Sequence, residues 1–197
     1  MKMSARIPSW RYPEASERAL SRKLEEATRD LVVEMRDRLD SMKFDATNEE
    51  IEEAESEIEE LALEIFMSVI VSLASIGLTL YRFNSKQWLA IALAAGGKDN
   101  PAIMTLKQNG ETGSEGWYPE TLERWQGMAI SSVRKLANDI VADWSIKVKT
   151  ENAKGARREK IDDVIEGRYA IYGSWSRNRA SGIIGTFNSM LMMQRLK

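Results

Sequence analysis

The chain has 197 residues, a formal net charge of −2, 43% hydrophobic and 29% charged residues, which suits one sizeable domain or two small ones and argues against global disorder. With 0 Cys and 0 His, a disulfide scaffold, a thiolate zinc site, a Cys nucleophile and a Ser-His-Asp triad are all excluded within it. Only 4 Pro and 12 Gly occur, most of the Gly between apolar periodic segments, so the composition favours long helices over a turn-rich β-protein.

The opening MKMSARIPSWRYP is basic but has no apolar core region before Pro8, so it reads as a cytosolic start rather than a secretory signal. Trp10 and Tyr12 form a candidate docking arm, for a surface on this chain or on another. Pro13, followed by Glu14 and Glu17, is expected to open a helix, because Pro suits the first helical position and acids suit the first turn. Leu20, Leu24, Ala27, Leu31, Met35, Leu39 and Met42 recur at steps of three and four residues, the stripe of an amphipathic helix of about 30 residues. Lys43 to Ala46 break the pattern, and Thr47 with Glu50 makes a capping box that restarts it. The short connection predicts an antiparallel helical hairpin whose second member carries the stripe Ile51, Ala54, Ile58, Leu61 and Ile65.

Thr47 to Glu64 holds nine Glu and no Lys or Arg, and Arg22, Lys23, Arg29, Arg36 and Arg38 of the first helix are expected to lie across from that face. The next stretch, Leu61 to Leu80, is the most apolar in the chain. From Ile65 to Leu80 it has no charge, but it falls short of the ~18–20 residues that span a bilayer. A buried core helix and a membrane-active segment are the two readings, and Ser72, Ser75 and Gly77 are expected to face another helix at close range. Asn84 and Ser85 are expected to interrupt the helix, leaving Lys86 to Ala95 as a short separate helix capped by Gly96 and Gly97. The Gly-containing polar segment 98–118 reads as loop and hinge, dividing an N-terminal helical portion, 1–97, from a C-terminal one, 119–197.

Pro119 opens a third long helix with the stripe Leu122, Trp125, Ala129, Val133, Leu136, Ile140 and Trp144, in which the Trp residues are packing anchors and Gly127 marks a close crossing. Lys147 to Lys160 is basic and locally irregular, either a solvated helix end or a phosphate-contacting patch. A short helix ending at Gly167, a connection over Tyr169 to Trp175, and a last helix capped by Ser176 complete the reading. After Glu166 the chain carries Arg168, Arg177, Arg179, Arg195 and Lys197 and no acid, a basic end that could contact DNA or an acidic partner. Asp162 and Asp163 are adjacent on a helix and so diverge, which leaves no paired-carboxylate site; no enzyme, metal site or cofactor is expected. The fold class is all-α, an elongated helical bundle built on the antiparallel hairpin, with no substantial sheet.

The last unit, IDDVIEGRYAIYGSWSRNRASGIIGTFNSMLMMQRLK, combines a short helix, an aromatic Ser/Arg loop, and a helix with ASGIIGTFNSML and a Gln-Arg pair. It resembles the start of the head-morphogenesis domain of phage Mu F-like minor head proteins. The aromatic-Pro-Glu opening into a long Arg/Glu/Leu helix is similar to the helical part that precedes that domain. Ala180, Gly185, Asn188 and Leu191 fall on the family's recurring small, Gly, Asn and Leu positions, while Ser181, Gly182 and Ile183 replace its usual polar or charged cluster. In the family the domain continues into a compact αβ portion. The resemblance implies a structural minor head protein of a tailed phage, made in the host cytoplasm and placed inside the capsid near the portal vertex. Its implied partners are the portal protein, other capsid subunits and packaged double-stranded DNA, with several copies per virion and roles in head assembly, packaging or ejection. The alternative from another class is a membrane-active ejection protein or toxin-like factor that uses residues 65–80.

Overall fold

The computed structural model describes residues 8–42, 46–97, 101 and 119–194. Among them are four helices and no strand: α1 (Glu14–Ser41), α2 (Asn48–Gly96), α3 (Pro119–Ala153) and α4 (Arg158–Gln194). The protein is all-α.

Cross-helix contacts set the topology. Arg38 pairs with Glu57 at one end of α1 and α2, while the Arg11 backbone meets Gln87 at the other, so these helices run antiparallel. Lys149 on Glu55 and Trp125 beside Gly77 make α2 and α3 antiparallel. Arg168 on Asp143 and Trp125 on the Ile183 carbonyl do the same for α3 and α4. Arg36 on Glu166 and Thr28 on Ser176 close the ring between α1 and α4. The result is an up-down-up-down four-helix bundle in which α2 and α4 are diagonal and touch little. All four helices feed one hydrophobic core, from Leu20, Leu24 and Met35 through Phe66 and Leu73 to Trp144, Tyr172 and Phe187.

Several local expectations hold. The α1 stripe is buried from Leu20 to Leu39, with Met42 half-buried against it. The capping box is complete: Glu50 N–H donates to Thr47 Oγ1 at 3.2 Å, and Thr47 N–H donates to Glu50 Oε2 at 2.7 Å. Pro119 opens α3, and Trp125 and Trp144 are core residues. Pro13 sits just outside α1 as its N-cap rather than at its first helical position.

Other expectations are corrected. Nothing interrupts α2 at Asn84 and Ser85; the helix runs unbroken for 49 residues, and 86–95 is its last part rather than a separate helix. Asn84 is fully buried and its Nδ2 donates to the Leu80 carbonyl at 3.0 Å, so the side chain that was expected to break the helix bonds within it. Gly97, at φ 80°, takes the terminating role. Likewise α4 is continuous through Gly167 and the predicted connection at Tyr169 to Trp175. Ser176 does not cap: its Oγ donates to the Tyr172 carbonyl at 3.1 Å and shares a 2.7 Å hydrogen bond with Thr28 Oγ1 of α1. The α2 stripe shifts by one residue after Ile58, so that Ala62 and Phe66 enter the core while Leu61 and Ile65 flank it. The break at 43–45 and the loop at 98–118, apart from Pro101, lie outside the described residues.

Close packing occurs at one of the two glycines singled out. A Cβ on Gly77 would lie 2.5 Å from Trp125 Cζ3 and 2.8 Å from Leu122 Cδ1, so α2 and α3 touch there because no side chain intervenes. Ser72 is half-buried and Ser75 is exposed, so the predicted small-residue face narrows to Gly77. Gly127 is exposed, with nothing within 4 Å of its would-be Cβ, and marks no crossing. Gly77→Ala is therefore expected to destabilise by about 1–3 kcal/mol through overpacking. Gly127→Ala should stabilise by about 0.5–1 kcal/mol through helix propensity. Urea unfolding of the two variants measures both, and a neutral Gly77→Ala would contradict the close approach.

Candidate interaction surfaces

The N-terminal arm docks on its own chain. Trp10 packs edge-on against Trp88 at 5.6 Å between ring centroids. Gln87 brackets the Arg11 backbone, accepting from its N–H at 2.6 Å and donating to its carbonyl at 3.0 Å. Tyr12 remains partly exposed; burial and its hydrogen bond with Glu17 push its hydroxyl up to about 12.

The basic end is occupied by acids of the same chain. Arg168 grips Asp143 through two hydrogen bonds, of 2.7 and 2.8 Å, and Tyr172 donates to the same carboxylate at 2.9 Å. That hydrogen bonding holds the Arg168 guanidinium above its ordinary value, while burial, followed by the bond to Asp143, raises the Tyr172 phenol. Arg168 also lies over the Tyr172 and Trp175 rings, 6.0 and 5.8 Å from their centroids. Arg177 faces Glu25 at 3.5 Å, and Arg179 reaches Asp139 at 3.4 Å. Arg195 and Lys197 lie outside the described residues. The positive charge that the sequence offers to phosphates is thus largely answered within the bundle.

The Glu-rich face of α2 finds fewer partners on α1 than its charge pattern suggested. Arg38 reaches Glu57, but Arg36 crosses instead to Glu166 on α4 and stacks over Tyr169 at 4.6 Å. The other partner comes from α3, where Lys149 pairs with Glu52 at 3.5 Å and Glu55 at 3.0 Å. Burial raises the Glu55 carboxyl, but hydrogen bonds from Ser145 and Lys149 outweigh it and hold the group below the usual carboxylate range. Lys147 to Lys160 is therefore the end of α3, the turn at Lys154 and Gly155, and the start of α4, with Lys149 and Lys154 paired to acids.

The four positions matched to the head-protein motif lie on α4. Ala180 and Leu191 are buried in the core and Asn188 nearly so, its Oδ1 without a protein partner, while Gly185 is half-exposed. Ala180 and Leu191 serve helix packing, whereas a Cβ on Gly185 would meet nothing within 4 Å. Between α3 and α4 an open groove of about 790 Å³ has Trp125, Met128, Ile146 and Ile183 among its lining residues. Its polar side is the Asp143 and Asp139 pairing just described. Among the described residues no group of three or more acids, Cys or His could hold a metal ion.

The surface that charge and periodicity did not single out is the outer face of α2. Leu63, Met67 and Val71 follow one another at four-residue steps and are 40%, 45% and 72% exposed, with Ala74 exposed next to them. The hydroxyls on this part of the helix are turned inward on the backbone: Ser68 donates to Ile65 O at 3.2 Å, Ser75 to Ser72 O at 2.9 Å and Thr79 to Ser75 O at 2.9 Å. An 18-residue window of α2 has a mean hydropathy of 2.2, yet only 33% of it is buried. By length and composition α2 is long and apolar enough to cross a membrane, while its charge-free run, Ile65 to Leu80, stays bracketed by Glu64 and Arg82. The detectable signal was an apolar run too wide for one buried stripe: a helix hydrophobic all round must be covered all round.

Among the described residues the fold is a four-helix bundle whose second helix exposes an apolar stripe on its outer face. Comparison with protein-family models, with curated proteins and with solved structures finds no match for this chain.

Two predictions follow from the polar contacts. Glu55→Gln should cost about 1 kcal/mol at pH 7 after allowing for solvent screening. Since the folded-state carboxyl is held low, that cost is full above the unfolded pKa and fades as pH falls through the folded one. Urea unfolding at pH 7 and pH 3 measures the difference, and an equal cost at both would contradict it. Asp143→Ala strips Arg168 and Tyr172 of their acceptor and should cost about 1–3 kcal/mol, measured in the same way.

Proposed function

We propose that this chain is a non-enzymatic assembly protein that docks on other subunits through the outer face of α2. More narrowly, it is a minor head component of a tailed phage, placed near the portal inside the capsid, that assists head assembly, DNA packaging or ejection. The observation that carries the broader reading is the Leu63, Met67 and Val71 stripe, exposed on a helix whose opposite face is committed to the core. Large apolar side chains in contiguous array on a bundle surface mark a contact site. The narrower reading is supported by the resemblance of the last unit, and of the opening helix, to Mu F-like minor head proteins. A helical body whose C-terminal Arg168, Arg177 and Arg179 are set against its own carboxylates suits a protein that lies among other subunits.

The membrane-active reading is favoured by a different observation, the hydropathy of α2 and the small share of its apolar window that is buried. Glu60 and Glu64 stand beside Leu63 and Met67 and count against it, because they would have to enter the bilayer edge with them.

Met67→Lys separates these readings from a bland surface. The variant should fold as the parent does, because position 67 faces outward, but should be lost from purified virions in mass spectrometry of particles made by a producing host. Retention of the variant at parental copy number would overturn docking through α2. Absence of the parent chain from particles would overturn the head-protein reading.

A further inference from the structure

We infer that the outer face of α2 pairs with a second copy of this chain, antiparallel and two-fold symmetric, with Val71 on the axis. The inference rests on the reading of that face as a docking surface and names its occupant.

The face is self-complementary about Val71. Residues eleven apart on an α-helix are about three turns apart and point the same way. Glu60 stands eleven positions before Val71 and Arg82 eleven after it, and both are exposed. In a two-fold antiparallel pair, a residue some distance before the axis meets the residue the same distance after it on the other copy. Glu60 therefore meets Arg82 of the second copy, twice, once on each side of the axis. One turn outward from Arg82 comes exposed Lys86, which extends the basic half across from the acidic half that holds Glu53, Glu60 and Glu64. A parallel pair would instead set Glu60 on Glu60 and Arg82 on Arg82, so charge selects the antiparallel arrangement. Among the described residues no ion pair is made by Glu60, Glu64, Arg82 or Lys86.

Between these charges lie the apolar residues that the pairing would bury. Met67, Val71 and Ala74 occupy the centre, and half-buried Leu78 continues the stripe toward Arg82. Ser68 and Ser75 flank the axis with their hydroxyls already bonded to their own helix, so no unsatisfied donor is carried into the seam. Their small side chains, with that of Ala74, let two helix backbones approach closely beside Val71. A lipid surface would gain nothing from the placement of Glu60 and Arg82 at equal distances from Val71; a second copy uses both.

The chain has no cysteine, so single-cysteine variants of the full chain report the geometry directly. Val71→Cys should form a disulfide-linked dimer under mild oxidation, because the two sulfurs meet on the axis. Ser56→Cys, exposed but about 45 Å from its counterpart in this pairing, should not. In sedimentation equilibrium the parent should dimerise, Arg82→Glu should weaken association about tenfold, and Glu60→Arg with Arg82→Glu should restore it. A monomeric parent, an uncrosslinked Val71→Cys, or a double variant as weak as Arg82→Glu would overturn the pairing. So would a monomeric parent that floats with phosphatidylcholine–phosphatidylglycerol vesicles, which would make lipid the occupant. If the parent is monomeric while Met67→Lys is still lost from particles, the pairing fails and docking through α2 stands; if Met67→Lys is retained in particles, docking itself fails.

Discussion

Trp125 ties three of the four helices together, and the bundle depends on the fit around it. Its ring lies against the bare backbone of Gly77 on α2, stacks on Phe187 of α4 at 4.5 Å between centroids, and donates from Nε1 to the Ile183 carbonyl at 3.1 Å. A large aromatic is buried without an orphaned donor, and α2 is drawn close to α3 at a position where any side chain would push it away. Further along the same helices, Lys149 with Ser145 holds Glu55, and Arg168 with Tyr172 holds Asp143. These polar contacts add further fixed points between helices that the packed core already holds in register.

With α2 held in this way, its two faces separate. The inner one, from Ile51 through Phe66 and Leu73 to Leu80, belongs to the core. The outer one begins acidic, becomes apolar from Met67 to Leu78 and turns basic at Arg82. Stability comes from the first, and the second is the face proposed above for docking. The basic C-terminal segment looked like the natural recognition element, but Arg168, Arg177 and Arg179 are each set against a carboxylate of the bundle. Their charge serves the fold.

What could be read from the sequence was local. Helix starts at Thr47 and Pro119 and the packing roles of Trp125 and Trp144 depend on neighbours three or four residues away, and periodicity and capping chemistry report those directly. The breaks expected at Asn84 and at Gly167 to Trp175 did not occur, and two of the polar side chains expected to compete with the helix there bond within it or across it, although Asn84 Oδ1 and the Tyr169 hydroxyl stay buried without a protein partner. Asn84 bonds Leu80, and Ser176 bonds Tyr172 and Thr28, a partner 148 residues away. Propensity has no access to such a partner. For the same reason Arg36 looked like a partner for the α2 acids, whereas the bundle closes so that Glu166 lies nearer. Of the exposed α2 face, the apolar excess in Leu61 to Leu80 was plain, but the side left uncovered among the described residues depended on where α1 and α3 settle.

A bundle that is complete without the outer face of α2 can offer that face to another subunit, which is what an assembly role asks of it. The unfolding free energy of Val71→Lys, taken at a concentration low enough to keep the protein monomeric, tests that division most directly. A change within about 0.5 kcal/mol is predicted, as for a surface site away from packing. A loss of about 2 kcal/mol or more would mean that Val71 supports the fold of the single chain, and would contradict the account of α2 as a helix with one structural face and one free for docking.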